Sequence, residues 1–152
     1  LKVRFTGIAL SQFVQILEFI SQDDPRPSRS RSLMNPILRT RRLGLRELQV
    51  SDLDFVARML GDAEVMRHYP KVLDFDESKV WLERQLARYA QDGHGLWLVE
   101  LRDTGEPVGQ VGLIRQIVEG VPEREIGWLL HRPFWGNGYA TEAAAATREL
   151  AF

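Results

Sequence analysis

The sequence predicts an α/β chain of the α+β type, an antiparallel strand meander flanked by helices, and three observations carry that expectation. Strand-like runs at residues 96–102, 108–116 and 124–130 follow one another, with short Gly- and Pro-bearing turns between them. Helical spacing precedes them at residues 53–60 and 77–91. It returns from Tyr139 onward in a stripe made mostly of alanine.

Taken in order, residues 1–33 differ in kind from the rest. An apolar run from Ile8 to Ile20 leads into a polar stretch broken by Pro25 and Pro27, which reads as a disordered or extraneous leader. A short amphipathic helix packed on the domain is the alternative for the apolar part. Gln12, Gln15 and Glu18 interrupt that run and no small-residue cleavage pattern follows, which argues against a signal peptide. The first methionine is Met34, so the natural start is expected there and the domain over residues 34–152. Leu43, Leu45 and Leu48 mark a first strand, closed by the helix-capping pair Ser51-Asp52. Leu53, Val56, Ala57 and Leu60 then share one helical face, and Gly61 stops that helix. A second helix runs from after Asp76 to about Gln91, burying Leu82, Leu86 and Tyr89 before Gly93 ends it.

Residues 96–102 are apolar on both faces, and Asp103-Thr104-Gly105-Glu106-Pro107 turns the chain into residues 108–116. A looser turn, Glu119-Gly120-Val121-Pro122, leads to residues 124–130. From Tyr139 the period changes, and Ala140, Ala143, Ala144, Thr147, Leu150 and Ala151 form a stripe that allows close packing of helix on sheet.

At 152 residues with 44% hydrophobic and 27% charged content, one domain with a real core is expected. A net charge of -1 provides no bulk field toward nucleic acid or a membrane surface. The absence of cysteine removes disulfides, thiolate metal sites and cysteine nucleophiles, and suits the cytoplasm. His68, His94 and His131 lie in separate segments without metal-ligand spacing, so no metal is expected. Trp81, Trp97 and Trp128 read as core or cleft-wall residues.

The most informative segment is His131-Arg132-Pro133-Phe134-Trp135-Gly136-Asn137-Gly138-Tyr139-Ala140-Thr141, which places two glycines between a strand and a helix. Converging amides there, with the positive end of the helix, suit a diphosphate; the same glycines also suit a plain tight turn, and spacing alone leaves both open. The dinucleotide fingerprint matches only in part, because Thr141 stands where its third glycine would fall and antiparallel strands come first. The nucleotide-triphosphate loop fails, because Tyr139-Ala140 stands where Lys and Ser or Thr are needed.

Residues 38–152 resemble the GNAT acetyltransferase superfamily, in the subgroup that includes the ribosomal-protein N-terminal (alanine) acetyltransferases. The likeness rests on Arg39-Thr40-Arg41-Arg42-Leu43-Gly44-Leu45-Arg46, Asp62-Ala63-Glu64-Val65-Met66-Arg67, Glu125-Ile126-Gly127-Trp128 and Trp135-Gly136-Asn137-Gly138-Tyr139-Ala140-Thr141-Glu142-Ala143. The superfamily's diphosphate motif maps onto Trp135, Gly138 and Ala140, with Trp135 replacing a leading Gln or Arg. The resemblance implies a mixed sheet with a parallel strand after the alanine helix, a further helix and a final hairpin, so the chain is expected to stop before the fold is complete. It implies acetyl-coenzyme A as co-substrate, its pantetheine arm on backbone near Leu129, Leu130 and His131. Its diphosphate would lie at Trp135, Gly136, Asn137, Gly138, Tyr139, Ala140 and Thr141.

The expected reaction is acetyl transfer to a primary amine, a protein N-terminus or a small molecule, by direct attack and without a covalent enzyme intermediate. Glu125 is the candidate base, since strand alternation sets it opposite Ile126, Trp128 and Leu130; Glu123 is the fallback, and a surface pair with Arg115 is the bland alternative. Met66, His68 and Tyr69 fall where the family lines its acceptor pocket. Glu142 reads as a carboxylate complementing the helix dipole. Two rival readings are a non-catalytic acyl-coenzyme-A sensor and an interaction module with a purely structural glycine loop.

Overall fold

Period-two alternation and short turns build a six-stranded sheet in the computed structural model, which describes residues 4–7 and 36–151. The strands are β1 (Arg4–Gly7), β2 (Leu38–Arg39), β3 (Leu43–Arg46), β4 (Leu96–Leu101), β5 (Pro107–Val118) and β6 (Val121–Leu130). Their spatial order is β1-β6-β5-β4-β3-β2. Each neighbouring pair is antiparallel except β1 with β6, which is parallel. The predicted meander is therefore β4-β5-β6, and the sheet is mixed as expected.

Among the described residues three α-helices cover the sheet: α1 (Leu53–Leu60), α2 (Phe75–Asp92) and α3 (Tyr139–Ala151). Leu96 and Leu98 of β4 pack with α1 and α2, whereas Trp97 and Val99 pack with Ala143 and Ala144 of α3. The strand is apolar on both faces because both faces are covered. No helix among the described residues is long and apolar enough to cross a membrane.

The β5–β6 hairpin is longer and tighter than the sequence suggested. Glu119 (φ 51°) and Gly120 (φ 79°) form a two-residue turn of the kind that matches strand twist. Both strands therefore run up to it, with Val118 opposite Val121. Pro122 is tolerated because, in this register, its nitrogen faces away from β5 and no ladder bond is lost.

Two helix starts also differ from expectation. Asp52 makes no side-chain cap bond to α1 but closes a capping box on the 3₁₀ turn Val50–Asp52 that precedes it. Its carboxylate accepts from the Gln49 amide at 2.7 Å and from Arg46 Nη1 and Nη2 at 2.8 and 2.9 Å. The same carboxylate thus serves the 3₁₀ capping box and a bidentate ion pair, and the pair raises the Arg46 pKa. The second helix starts at Phe75 with Asp74 as its cap; Asp74 Oδ1 accepts from Glu77 N at 2.8 Å, and Glu77 Oε2 from Asp74 N at 2.9 Å. Gly93 ends that helix in the left-handed conformation (φ 74°), as the sequence indicated. On α1 the buried residues are Phe55, Val56, Met59 and Leu60, so Leu53 and Ala57 of the predicted stripe lie half-buried at its flank. Leu150 of the alanine stripe is exposed, while Ala143, Ala144 and Thr147 are buried.

Arg4–Gly7, assigned from the sequence to a disordered leader, form β1 and pair with Glu125–Trp128 of β6. The parallel neighbour that the resemblance placed after the alanine helix is in this structure supplied by β1. The rest of residues 1–33, including the apolar run from Ile8 to Ile20, and Met34 lie outside the described residues.

Candidate active site

The strand β6 ends at Leu130, and a 3₁₀ turn over Arg132–Phe134 carries the chain to the glycine loop. Gly136 (φ 79°) and Gly138 (φ 78°) both take the left-handed conformation that L side chains resist. Between them, Asn137 Nδ2 donates to the Phe134 and Trp135 carbonyls at 3.1 and 3.3 Å, which pins the loop from within. The first backbone bond into α3 runs from Glu142 N to Gly138 O at 3.0 Å. Asn137 closes a hydrogen-bonded turn over Trp135 and Gly136, and the amides of Gly136, Gly138, Tyr139, Ala140 and Thr141 have no acceptor among the described residues. Free N–H groups at a helix start and in such a turn form a concavity for an anion. Gly136, Asn137 and Gly138 are exposed, so the concavity is open to a ligand.

The edge of β6 next to this loop is more selective than the sequence suggested. His131 N donates to Val108 O at 2.9 Å, which makes Leu130 and Gly109 a non-hydrogen-bonded pair. The Leu130 N–H and C=O therefore point away from β5, toward the edge where the described residues of β1 pair with Glu125–Trp128. Leu129 and His131, nominated with Leu130 as backbone contacts, turn inward instead: Leu129 pairs with Gln110, and His131 is bonded to Val108. Trp135 fills its place in the motif differently from a Gln or Arg, since its indole Nε1 donates to the Leu130 carbonyl at 2.9 Å. Among the described residues the Leu130 N–H has no acceptor on that edge, which leaves it for a ligand arm.

The His131 ring sits edge-on to Phe55, with centroids 5.7 Å apart, and 6.3 Å from the Phe134 ring. Burial lowers its pKa, and the charge of Arg58 lowers it further, which favours the neutral imidazole. His94 Nδ1 lies 2.9 Å from Leu113 O, far along the sheet, and His68 is exposed beside Arg67. Among the described residues no group of three His, Asp or Glu side chains is placed to hold a metal ion.

Glu142 does more than complement a dipole. Its carboxylate accepts from Thr40 Oγ1 at 2.6 Å, from Arg42 N at 3.0 Å and from Arg42 Nε at 2.7 Å, clasping the β2–β3 turn to the start of α3. Burial alone would raise the Glu142 pKa; the Thr40 hydroxyl, the Arg42 donors and the Arg42 charge outweigh it and hold the carboxyl below its usual range. The partners are about a hundred residues apart in sequence, so no spacing signal pointed to them.

On the opposite face of the sheet, Glu125 is buried at 6% exposure and stands across from Ile114, on the side of Leu129 rather than Ile126. The alternation argument placed it so. Arg115, its suggested surface partner, lies instead 4.0 Å from Asp92. Tyr69 stands close to Glu125: burial raises the Tyr69 pKa, and the Glu125 charge raises it further. Of the other residues expected to line an acceptor pocket, Met66 is in the core and His68 is exposed. Gln110, on the same face and opposite Leu129, is fully buried with both side-chain amide atoms unpartnered. It sits in an apolar-looking run that hid it from sequence reasoning.

The chain and its fold have relatives among known proteins. The model of the GNAT acetyltransferase domain matches residues 42–152. An uncharacterized protein of Bacillus subtilis (strain 168), YkkB, is 35% identical over 94 residues, which cover 62% of this chain and 55% of that protein. The chain thus spans little more than half the length of that relative. The crystal structure of an acetyltransferase from Agrobacterium tumefaciens str. C58 superposes with a TM-score of 0.65 at 32% identity, covering 83% of this chain and 72% of that one. RimL, a ribosomal L7/L12 alpha-N-protein acetyltransferase in complex with coenzyme A, shares the fold with a TM-score of 0.60 at 14% identity, over 76% of this chain and 67% of its own. Since the family model runs from the clasped β2–β3 turn through the meander, the glycine loop and α3, the chain belongs to the GNAT acetyltransferase domain family.

Proposed function

We propose that this domain binds acetyl-coenzyme A and serves an N-acetyltransferase that acts on a primary amine, a protein N-terminus or a small molecule, by direct transfer. The observation that carries the reading is the set of amides at Gly136 and Gly138–Thr141, without acceptors among the described residues, at the start of α3. The donor set fits a diphosphate: it is made of N–H groups, and the carboxylate of Glu142 is turned to Thr40 and Arg42. Bound there, the coenzyme supplies an activated acetyl thioester. Gly136, Gly138, Tyr139, Ala140 and Thr141 hold its diphosphate, Trp135 and Asn137 fix the loop, and the Leu130 N–H orients the arm, with Leu129 and His131 shaping the edge rather than donating.

Glu125 takes the proton released by the amine, directly or through a water, and Tyr69 beside it is the neighbouring hydroxyl. An N-terminal α-amine is the favoured acceptor, because its pKa of about 8 leaves part of it neutral at pH 7 and demands little of the base. The fold shared with RimL and the β2–β3 turn motif agree with a ribosomal-protein acetyltransferase-like subgroup. The absence of cysteine agrees with a cytoplasmic setting.

The test is calorimetric titration with acetyl-coenzyme A, run beside a thiol-release assay over peptide N-termini, lysine peptides and polyamines. Binding with thiol release supports the reading. Binding without release for any amine points to an acyl-coenzyme-A sensor, and no binding at millimolar concentration points to an interaction module. Glu125→Gln is expected to lower turnover about 100-fold or more with coenzyme binding unchanged.

A further inference from the structure

The phosphate concavity has a cationic wall that comes from a distant part of the chain. Arg42, in the β2–β3 turn, is held in three ways. Its Nε donates to Glu142 Oε2 at 2.7 Å, and its backbone N donates to Glu142 Oε1 at 3.0 Å. Its guanidinium carbon lies 4.6 Å from the centroid of the Tyr139 ring. Its Nη2 stands 3.5 Å from the point that a Cβ on Gly138 would occupy.

These contacts commit Nε and one face of the guanidinium and leave the Nη edge against Gly138, one of the free amides. Neither Nη1 nor Nη2 has an acceptor among the described residues. Glu142 does not cancel this edge as a donor, because its oxygens are engaged by Thr40 and Arg42 on the hairpin side. Backbone amides and a helix end provide only partial positive charge, whereas a diphosphate is a formal dianion. A planar fork of N–H donors matches two phosphate oxygens at once.

Resting on the reading that the concavity takes the coenzyme, we propose that Arg42 is a binding residue for its diphosphate, with Glu142 as the positioning residue that sets the guanidinium. The β2–β3 turn is then part of the coenzyme site, and recognition of the phosphates depends on residues on both sides of the sheet's sequence.

The test titrates the 152-residue chain and its Arg42→Gln, Arg42→Lys and Glu142→Gln variants with coenzyme A, 3′-dephospho-coenzyme A and pantetheine. Arg42→Gln is expected to weaken coenzyme A and its dephospho form alike, by about 10- to 100-fold, and to leave pantetheine unchanged. Arg42→Lys should fall between, since a point charge lacks the fork. Glu142→Gln should show a smaller loss with the same ligand dependence.

Wild-type affinity for coenzyme A in Arg42→Gln overturns the proposal, as does an equal loss for pantetheine, which would mark a purely structural role. A loss confined to coenzyme A over its dephospho form assigns Arg42 to the 3′-phosphate and also overturns it. If Arg42→Gln does not fold, an unchanged ratio of coenzyme A to pantetheine affinity in Arg42→Lys decides against it. Unchanged affinity in Glu142→Gln removes the positioning role. Wild-type chain that binds coenzyme A no better than pantetheine overturns the coenzyme reading itself, and Arg42's role with it.

Discussion

Removing the Glu142 carboxylate should cost more than its surface location suggests, because it is the knot between the β2–β3 turn and α3. The carboxylate accepts three hydrogen bonds, at 2.6 Å from Thr40 Oγ1, 3.0 Å from Arg42 N and 2.7 Å from Arg42 Nε. A hydrogen bond to a charged group contributes about 1.5–3 kcal/mol when well buried. Here the ion-paired side chains are 36% and 21% exposed, so solvent screening discounts each bond toward the low end. Glu142→Ala is then expected to lose roughly 2–4 kcal/mol in total, and Glu142→Gln about 1–2 kcal/mol, since the amide oxygen keeps part of the geometry.

For a domain of this size each kcal/mol shifts Tm by about 2–4 °C, so Glu142→Ala should melt about 5–15 °C lower. The effect also carries a pH signature. The folded-state pKa of Glu142 lies below the unfolded value of about 4.3, so its contribution is complete above that value and disappears as pH falls through the folded pKa. Urea titrations at pH 7 and pH 3 should show wild type and Glu142→Gln well separated at the first and converging at the second. A Glu142→Ala change of less than about 0.5 kcal/mol at pH 7, or a gap that persists undiminished at pH 3, refutes the clasp as a stabilising ion pair.

Other substitutions test the scaffold around the site. A Cβ on Gly112 would meet Gly95 O at 2.0 Å and Leu96 Cα at 2.8 Å, both backbone, so Gly112→Ala should lower stability by about 3 kcal/mol or more in a chemical denaturation series. The Tyr89 hydroxyl accepts from Leu48 N and donates to Leu96 O, and burial raises its pKa, so Tyr89→Phe should cost about 1–3 kcal/mol in the same assay. Gly138→Leu forces a side chain into φ 78° beside Arg42, which should cost about 1–2 kcal/mol and abolish coenzyme A binding by calorimetry. Gly136→Leu, at φ 79° and with nothing within 4 Å of its Cβ, should cost a similar amount of stability in the same denaturation series.

Much of the fold could be read locally. Strand-like runs separated by Gly- and Pro-bearing turns over residues 96–130 foretold the meander, the Ala143, Ala144 and Thr147 stripe foretold the face of α3, and Gly93 marked the end of α2. The glycine loop was readable for the same reason: φ values of 79° and 78° at Gly136 and Gly138 are a demand that residue type alone reveals. Alternation along β6 also set Glu125 away from Ile126.

What the sequence determined by itself is therefore whatever a few neighbouring residues decide: period, turn chemistry and the conformational licence of glycine. Only the tertiary structure decided that Asp52 answers Arg46 as well as capping the 3₁₀ turn, that Leu130 rather than Leu129 or His131 turns its backbone outward, and that Glu142 binds Thr40 and Arg42. Each of these is a choice among partners of similar local merit. Such a choice is settled by which donors the folded sheet brings within hydrogen-bond reach, and a contact spanning about a hundred residues leaves no period in the chain to betray it.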